Sequence, residues 1–335
     1  MSVTVTLNPS GHTFVVEEGE TILESALRSG LAPEYGCANG TCGECKARVV
    51  SGELSEIRFH DYVIGEAEKR MGYALLCSAT AVQDTIIEAM EAARPEDIPM
   101  QKVRARVHGL ERIRDDLLIV NLRVQRGRIL RFLAGQHVQL TPKGLAPKKV
   151  PVASCHCDGL NLQFHLRRDS DDAFSAHVFE RLKTSDKLDV EGPWGTFTLQ
   201  LDSTRPMIFF AYDTAFAPIK SIIEHAINLE LPQEMHLYWC VPGDSPPYMH
   251  NYCRSLTDAL DNFSYHAVTE VSTSAEVGAK RIIADHPDLR DFDIYLAGPD
   301  EFIGPGSRIF LDGGLPGDRL FQYSALTRGR EPARE

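Results

Sequence analysis

The 335-residue chain has no stretch of eighteen apolar residues and no amino-terminal segment that joins a basic start to an apolar centre. The first absence excludes a membrane-spanning helix and the second a secretory signal, so the chain is expected in the cytoplasm and not across a membrane. It also lacks a surplus of basic charge. Lys and Arg number 35 against 47 Asp and Glu, a net charge of −12. With no basic segment interleaved with aromatics, nucleic acid is excluded as the expected partner. Nor is it dense in cysteine: eight thiols in a chain of this length and expected compartment read as ligands and free thiols, not as a disulfide framework.

What the chain does have is a particular spacing of four of those thiols. Cys37, Cys42 and Cys45 fall within Tyr35-Gly36-Cys37-Ala38-Asn39-Gly40-Thr41-Cys42-Gly43-Glu44-Cys45, and Cys77 follows Leu76, which gives C-x4-C-x2-C-x31-C. This is the plant-type spacing for a 2Fe-2S cluster. A tight loop can supply three thiolates and a distant strand end the fourth. Gly36, Gly40 and Gly43 suit such a loop, because glycine takes φ > 0 and lets backbone N–H groups turn toward the sulfurs. Zinc knots usually use two C-x2-C pairs, and only one occurs here. Cys155-His156-Cys157 could form a metal clip. On a strand, however, alternation points His156 away from both thiols, so these cysteines, like Cys240 and Cys253, are expected to be packed thiols.

The length implies two or three domains. Residues 1–92 begin with alternating strands and a helix announced by the capping box Thr21/Glu24. Fourteen Asp and Glu against seven Lys and Arg give residues 1–94 a charge of −7, which can steer a basic partner or serve solubility. Residues 93–101, with Pro95 and Pro99, read as a linker. Residues 102–203 carry strands with one short helix, the pattern of an antiparallel barrel. From 204 to 335 strands alternate with helices, which means a parallel sheet covered on both faces.

This order, together with Gly135-Gln136, Glu191-Gly192-Pro193-Trp194-Gly195-Thr196-Phe197 and Phe216-Ala217-Pro218-Ile219-Lys220, resembles the NAD(P)H-dependent ferredoxin-reductase family. The form it resembles is carried by reductase components of bacterial oxygenases and of deoxysugar synthesis. The resemblance implies a β-grasp 2Fe-2S ferredoxin, an FAD-type barrel and an NAD(P)-type α/β domain. It implies hydride transfer from nicotinamide to FAD and single electrons onward through the cluster to a redox partner. It also implies flavin contacts at Lys148, Val150, Ser154 and Ser175, and nicotinamide contacts at Thr214, Pro218 and Gly298.

The family loops are altered, however. R-x-Y-S becomes Lys148-Lys149-Val150-Pro151, and G-G-x-F-S/T becomes Asp171-Asp172-Ala173-Phe174-Ser175. G-x-G-F-A-P becomes Asp213-Thr214-Ala215-Phe216-Ala217-Pro218, and C-G-x-P-x-M becomes Ala297-Gly298-Pro299-Asp300-Glu301-Phe302, with Gly304-Pro305-Gly306 expected to interrupt the next helix. Carboxylates at both pyrophosphate loops repel phosphate, so FAD and NAD(P)H binding is expected to be weakened or lost. The expected function is a 2Fe-2S electron-transfer protein serving a partner redox enzyme with a basic docking face. Two alternatives are an active NAD(P)H:FAD:2Fe-2S reductase feeding an oxygenase or dehydrase, and a non-redox assembly subunit whose cluster is structural.

Overall fold

Alternation of apolar and polar residues writes the first unit. The computed structural model describes residues 3–92, 94–125, 129–157, 160–243, 246–269 and 275–325. In β1 (Val3–Asn8) Val5 and Leu7 are buried, and β2 (Thr13–Val16) returns antiparallel with Phe14 and Val16 inward. The helix α1 (Ile22–Arg28) starts on a completed capping box: Thr21 Oγ1 accepts the Glu24 N–H and the Glu24 carboxylate accepts the Thr21 N–H. Such a cap contributes about 1 kcal/mol, a large share for a helix this short. There follow β3 (Lys46–Ser51), β4 (Leu54–Glu56), α2 (Glu66–Arg70), β5 (Tyr73–Leu75), β6 (Ala79–Ala81) and β7 (Thr85–Glu88). The main sheet has the order β2-β1-β7-β3-β5, with β1 and β7 parallel, and α1 lies across it.

A second sheet is antiparallel throughout. It comprises β8 (Gln101–Arg114), β9 (Leu117–Val124), β10 (His137–Pro142), β11 (Lys148–Pro151), β12 (Asn161–Arg167) and β13 (Lys187–Trp194), in the order β11-β10-β13-β8-β9-β12. It curls into a near-closed barrel around Val120, Leu122, Val138, Leu140, Val150 and Phe164. The helix α3 (Ala173–Glu180) is capped by Asp172, whose carboxylate accepts the Phe174 N–H. The strand β11 stops at Pro151. Beyond it the Val152 N–H turns to Gln136 and the Ala153 N–H to Gln163, so residues 152–157 leave the sheet.

The third unit alternates as expected: β14 (Met207–Tyr212), α4 (Phe216–Asn228), β15 (Met235–Cys240), α5 (His250–Ala259), β16 (Phe263–Val268), α6 (Ala275–Asp285), β17 (Asp293–Gly298), α7 (Asp300–Asp312) and β18 (Leu320–Ser324). All its strand pairs are parallel, in the order β16-β15-β14-β17-β18. The strand order reverses between β14 and β17. At such a switch point the strands' carboxyl ends open a crevice in which ligands of open parallel sheets bind. One expectation fails here: Gly304-Pro305-Gly306 does not interrupt α7, which runs through Pro305. Phe302, Ile303 and Phe310 are buried against the sheet, and that burial outweighs the ~3 kcal/mol that an interior proline costs. Among the described residues no helix is long and apolar enough to cross a membrane.

Candidate iron-sulfur centre and nucleotide loops

The loop between α1 and β3 brings Cys37, Cys42 and Cys45 together, and the turn after β5 brings Cys77 to them. Cys45 Sγ and Cys77 Sγ are 3.2 Å apart. Cys37 Sγ accepts the N–H groups of Thr41 and Cys42, both at 3.3 Å, and Cys42 Sγ accepts those of Cys37 at 3.3 Å and Glu44 at 3.4 Å. The backbone thus already points its donors at sulfur. Burial pushes the Cys37 thiol up, but the hydrogen bonds from Thr41, Asn39 and Cys42 outweigh it and bring it down to about 6. Cys45 and Cys77 share a proton: the bond between them raises Cys45 and lowers Cys77.

The loop glycines are required by space as well as by backbone angle. Gly40 and Gly43 have φ of 81° and 79°, and a Cβ on them would lie 2.5 Å from His60 Cβ and 2.2 Å from the Tyr62 ring. Tyr62 is in turn pinned by its N–H to Gly40 O. Four thiols on one loop and one strand end, with donors aimed at sulfur, fit a 2Fe-2S cluster held by Cys37, Cys42, Cys45 and Cys77. When bound, the cluster supplies one-electron oxidation and reduction.

The positions assigned to flavin are engaged by the chain itself. Lys148 Nζ pairs with Asp172 Oδ2 at 2.8 Å, and Asp172 also caps α3. Ser175 Oγ accepts the Asp169 N–H, while Ser154 Oγ donates to Asn161 O and accepts the Gln163 N–H. Val150 pairs with Val138 and faces the barrel core, only 3% exposed. Its strand neighbours Lys149 and Pro151 take the outer face, beside His137, whose ring lies against Trp194 and Tyr323. Val150 is therefore not where a residue could cover a flavin ring from the outer face.

At the switch point, Asp213 follows β14 with a φ of 48°, where glycine would be at ease. Its carboxylate takes two hydrogen bonds from Arg167 at the end of β12, at 2.7 and 2.6 Å, and Arg167 also pairs with Asp116. Thr214 sits in the short turn after Asp213, and Pro218 is buried in the first turn of α4. Gly298 ends β17 with its bare Cα against Phe302, where a Cβ would lie 2.6 Å from the ring. Motif reading missed Arg167, because its partner lies 46 residues away and only the fold brings the two together. Side-chain carboxylates stand in both loops, Asp172 at the start of α3 and Asp213 after β14.

A cysteine-rich β-grasp loop set ahead of a barrel and a parallel sheet defines an iron-sulfur electron-transfer protein built on a ferredoxin-reductase scaffold. Residues 5–82 match the 2Fe-2S iron-sulfur cluster binding domain. The CDP-6-deoxy-L-threo-D-glycero-4-hexulose-3-dehydrase reductase of Yersinia pestis is 31% identical over 330 residues, covering 96% of this chain and 98% of the relative. The propane 2-monooxygenase reductase component of Rhodococcus jostii is 24% identical, over 96% of this chain and 91% of its own. Among solved structures, the Amycolatopsis reductase GcoB superposes with a TM-score of 0.62 at 25% identity, covering 96% of this chain and 98% of that one. The chain belongs to the ferredoxin-reductase family whose members carry an amino-terminal plant-type 2Fe-2S domain.

Proposed function

We propose that this chain delivers single electrons from its 2Fe-2S cluster to a partner redox enzyme, and that FAD and NAD(P)H are not held through the family's phosphate contacts. The observation that carries the second part is the Arg167–Asp213 pair, which fills the nicotinamide loop with a carboxylate already neutralised by the barrel. The Lys148–Asp172 pair repeats the arrangement at the flavin loop. The acidic first unit suits a partner with a basic face, and Phe59 and Val63, each more than four-fifths exposed in the segment whose His60 and Tyr62 pack on Gly40 and Gly43, offer apolar contact.

The comparisons favour a second reading. Relatives matched along nearly the whole chain are reductase components of a dehydrase and of an oxygenase, and in that reading this chain is a working NAD(P)H-dependent reductase. An anaerobic titration with NADH and NADPH, with a flavin assay on the acid extract, separates the two. The expected result is an iron-sulfur spectrum, no stoichiometric flavin and no bleaching by either nucleotide. One FAD per chain with rapid bleaching by NADH would establish the second reading instead.

A further inference from the structure

Away from the iron-sulfur loop, four donor side chains converge where the barrel meets the α/β unit. Cys155, His156 and Cys157 lie in the turn that follows β11, and His225 reaches them from the last turn of α4. Alternation along a strand had His156 pointing away from the thiols, but these residues are not on a strand. One ligand atom from each of the four lies within 4.8 Å of the others. Cys157 Sγ is 3.9 Å from His225 Nδ1, and the two imidazole rings are 4.4 Å apart.

His156 is only 4% exposed, and neither of its ring nitrogens makes a well-formed hydrogen bond. Leaving a buried polar group unmet is destabilising, so the site is one that a ligand on that lone pair would stabilise. The surroundings favour thiolate: Cys155 Sγ receives the Cys157 N–H at 3.2 Å and the Asn228 side-chain amide at 3.5 Å. Glu224 accepts the Cys155 N–H at 3.1 Å and so fixes the turn against α4. A cleft of about 540 Å³, lined by Cys155, Cys157, Asn228 and Glu224, gives a route in from solvent.

We propose that Cys155, His156, Cys157 and His225 form a mononuclear zinc site, separate from the iron-sulfur cluster and independent of whether flavin is held. Two thiolates and two imidazoles are a donor set that zinc takes in closed tetrahedral sites, with Zn–S near ~2.3 Å and Zn–N near ~2.0 Å. Soft sulfur and imidazole donors exclude magnesium and calcium. The two thiols release two protons on binding, so that the loaded site carries no net charge. The structure joins Cys155 to Cys157 as a disulfide, contrary to the free thiols expected from the sequence, and zinc takes the dithiol form. A phosphine opens that disulfide, itself becoming the phosphine oxide with the oxygen of one water, and leaves two thiols. Bound zinc would tie the turn after β11 to α4 and so fix the barrel against the α/β unit.

The test uses cluster-loaded protein purified with a phosphine reductant, incubated with zinc chloride and desalted. Metal analysis is expected to find one zinc beside two irons per chain, and zinc-edge X-ray absorption two sulfur and two nitrogen neighbours. Cys157→Ser and His225→Ala are expected to lose the zinc and keep the iron-sulfur spectrum, which also shows that each variant has folded. A chain with two irons and no zinc overturns the proposal. So does zinc with four sulfur neighbours, which would place it in the cluster loop, and so does zinc retained by both variants. Persistence of the disulfide in reductant, read as an intact mass two daltons below the dithiol, overturns it as well.

Discussion

Arg167 grips Asp213 through two hydrogen bonds of 2.7 and 2.6 Å, tying the end of the barrel strand β12 to the loop after β14. A non-glycine residue held at positive φ costs about 1–3 kcal/mol. Each charge-assisted hydrogen bond returns about 1.5–3 kcal/mol, so the pair outweighs the strain of the Asp213 backbone. An aspartate persists where the family has glycine because the barrel supplies its partner.

Asp213→Asn keeps a residue that tolerates positive φ and removes the charge, so it isolates the ion pair from the backbone. Asp116 remains as a partner for Arg167, which limits the damage. The expected loss is about 1–3 kcal/mol in urea unfolding. An unchanged midpoint would mean that the pair does not hold the two units together.

The cluster loop should be intolerant at Gly43 and at each cysteine. Gly43→Ala drives a Cβ to 2.2 Å from the Tyr62 ring at a φ of 79°, whereas a Cβ at Gly11, with a similar φ of 77°, meets nothing within 4 Å. Gly43→Ala is expected to lose most of the iron-sulfur absorbance, as Cys42→Ser is. Gly11→Ala should cost about 1 kcal/mol and keep the cluster. Equal iron content in Gly43→Ala and in the unmodified protein would remove the steric argument.

Much of this was legible in the chain because local rules and global fold agree. The Thr21/Glu24 cap and the switch from strands to alternating strands and helices each have one physical reading, and the structure keeps both, while the spaced thiols come close in one loop and one strand end. The failures share a cause. Which face Val150 takes depends on strand register, and a shift of one residue exchanges core for surface. Arg167 with Asp213, and Cys157 with His225, are pairs that only tertiary folding makes. Pro305 ends a helix by local preference, yet buried aromatics around it carry the helix through.

The charge of −7 on residues 1–94 makes delivery to a basic acceptor sensitive to salt. The Debye length falls from ~30 Å at 0.01 M to ~10 Å at 0.1 M, so steering by exposed carboxylates fades across that range. Dithionite-reduced protein mixed with cytochrome c in a stopped-flow instrument should transfer electrons at least about tenfold more slowly at the higher salt. A rate flat with salt would leave the acidity to solubility alone.

His137 sets part of the acid response. Burial, helped by the nearby Lys149 charge, holds it down to about 3 in the folded chain, against about 6.5 when unfolded. Between those values the unfolded chain carries the proton and the native chain does not. Stability is therefore full above about 6.5 and is lost as pH falls toward the folded value, by a few kcal/mol at most at about 1.4 per pH unit. His137→Phe is expected to flatten the decline in urea midpoint between pH 7 and pH 4.5. An identical slope in the variant would assign the acid sensitivity to other groups.

The register of β11 can be tested by moving one aromatic by one residue. Val150 lies in the barrel core beside Val138, so Val150→Tyr forces a ring and a hydroxyl into a filled interior and is expected to cost about 1–3 kcal/mol or more. Pro151 pairs with His137 on the outer face, and Pro151→Tyr places the ring there, one residue from the position aligned with the family's Tyr. It is expected to fold with near-normal stability. Combined with Asp171→Gly, Asp172→Gly and Lys148→Arg, it should raise flavin affinity, because removal of Asp172 frees the position-148 cation and opens the first N–H groups of α3 to pyrophosphate. The cap lost with Asp172→Gly costs only a few tenths of a kcal/mol, so the helix that must receive the phosphate survives the change. Fluorescence quenching of added FAD reads the gain. A Val150→Tyr protein that is as stable as the parent and binds flavin better than Pro151→Tyr would reverse the register and return Val150 to the flavin face.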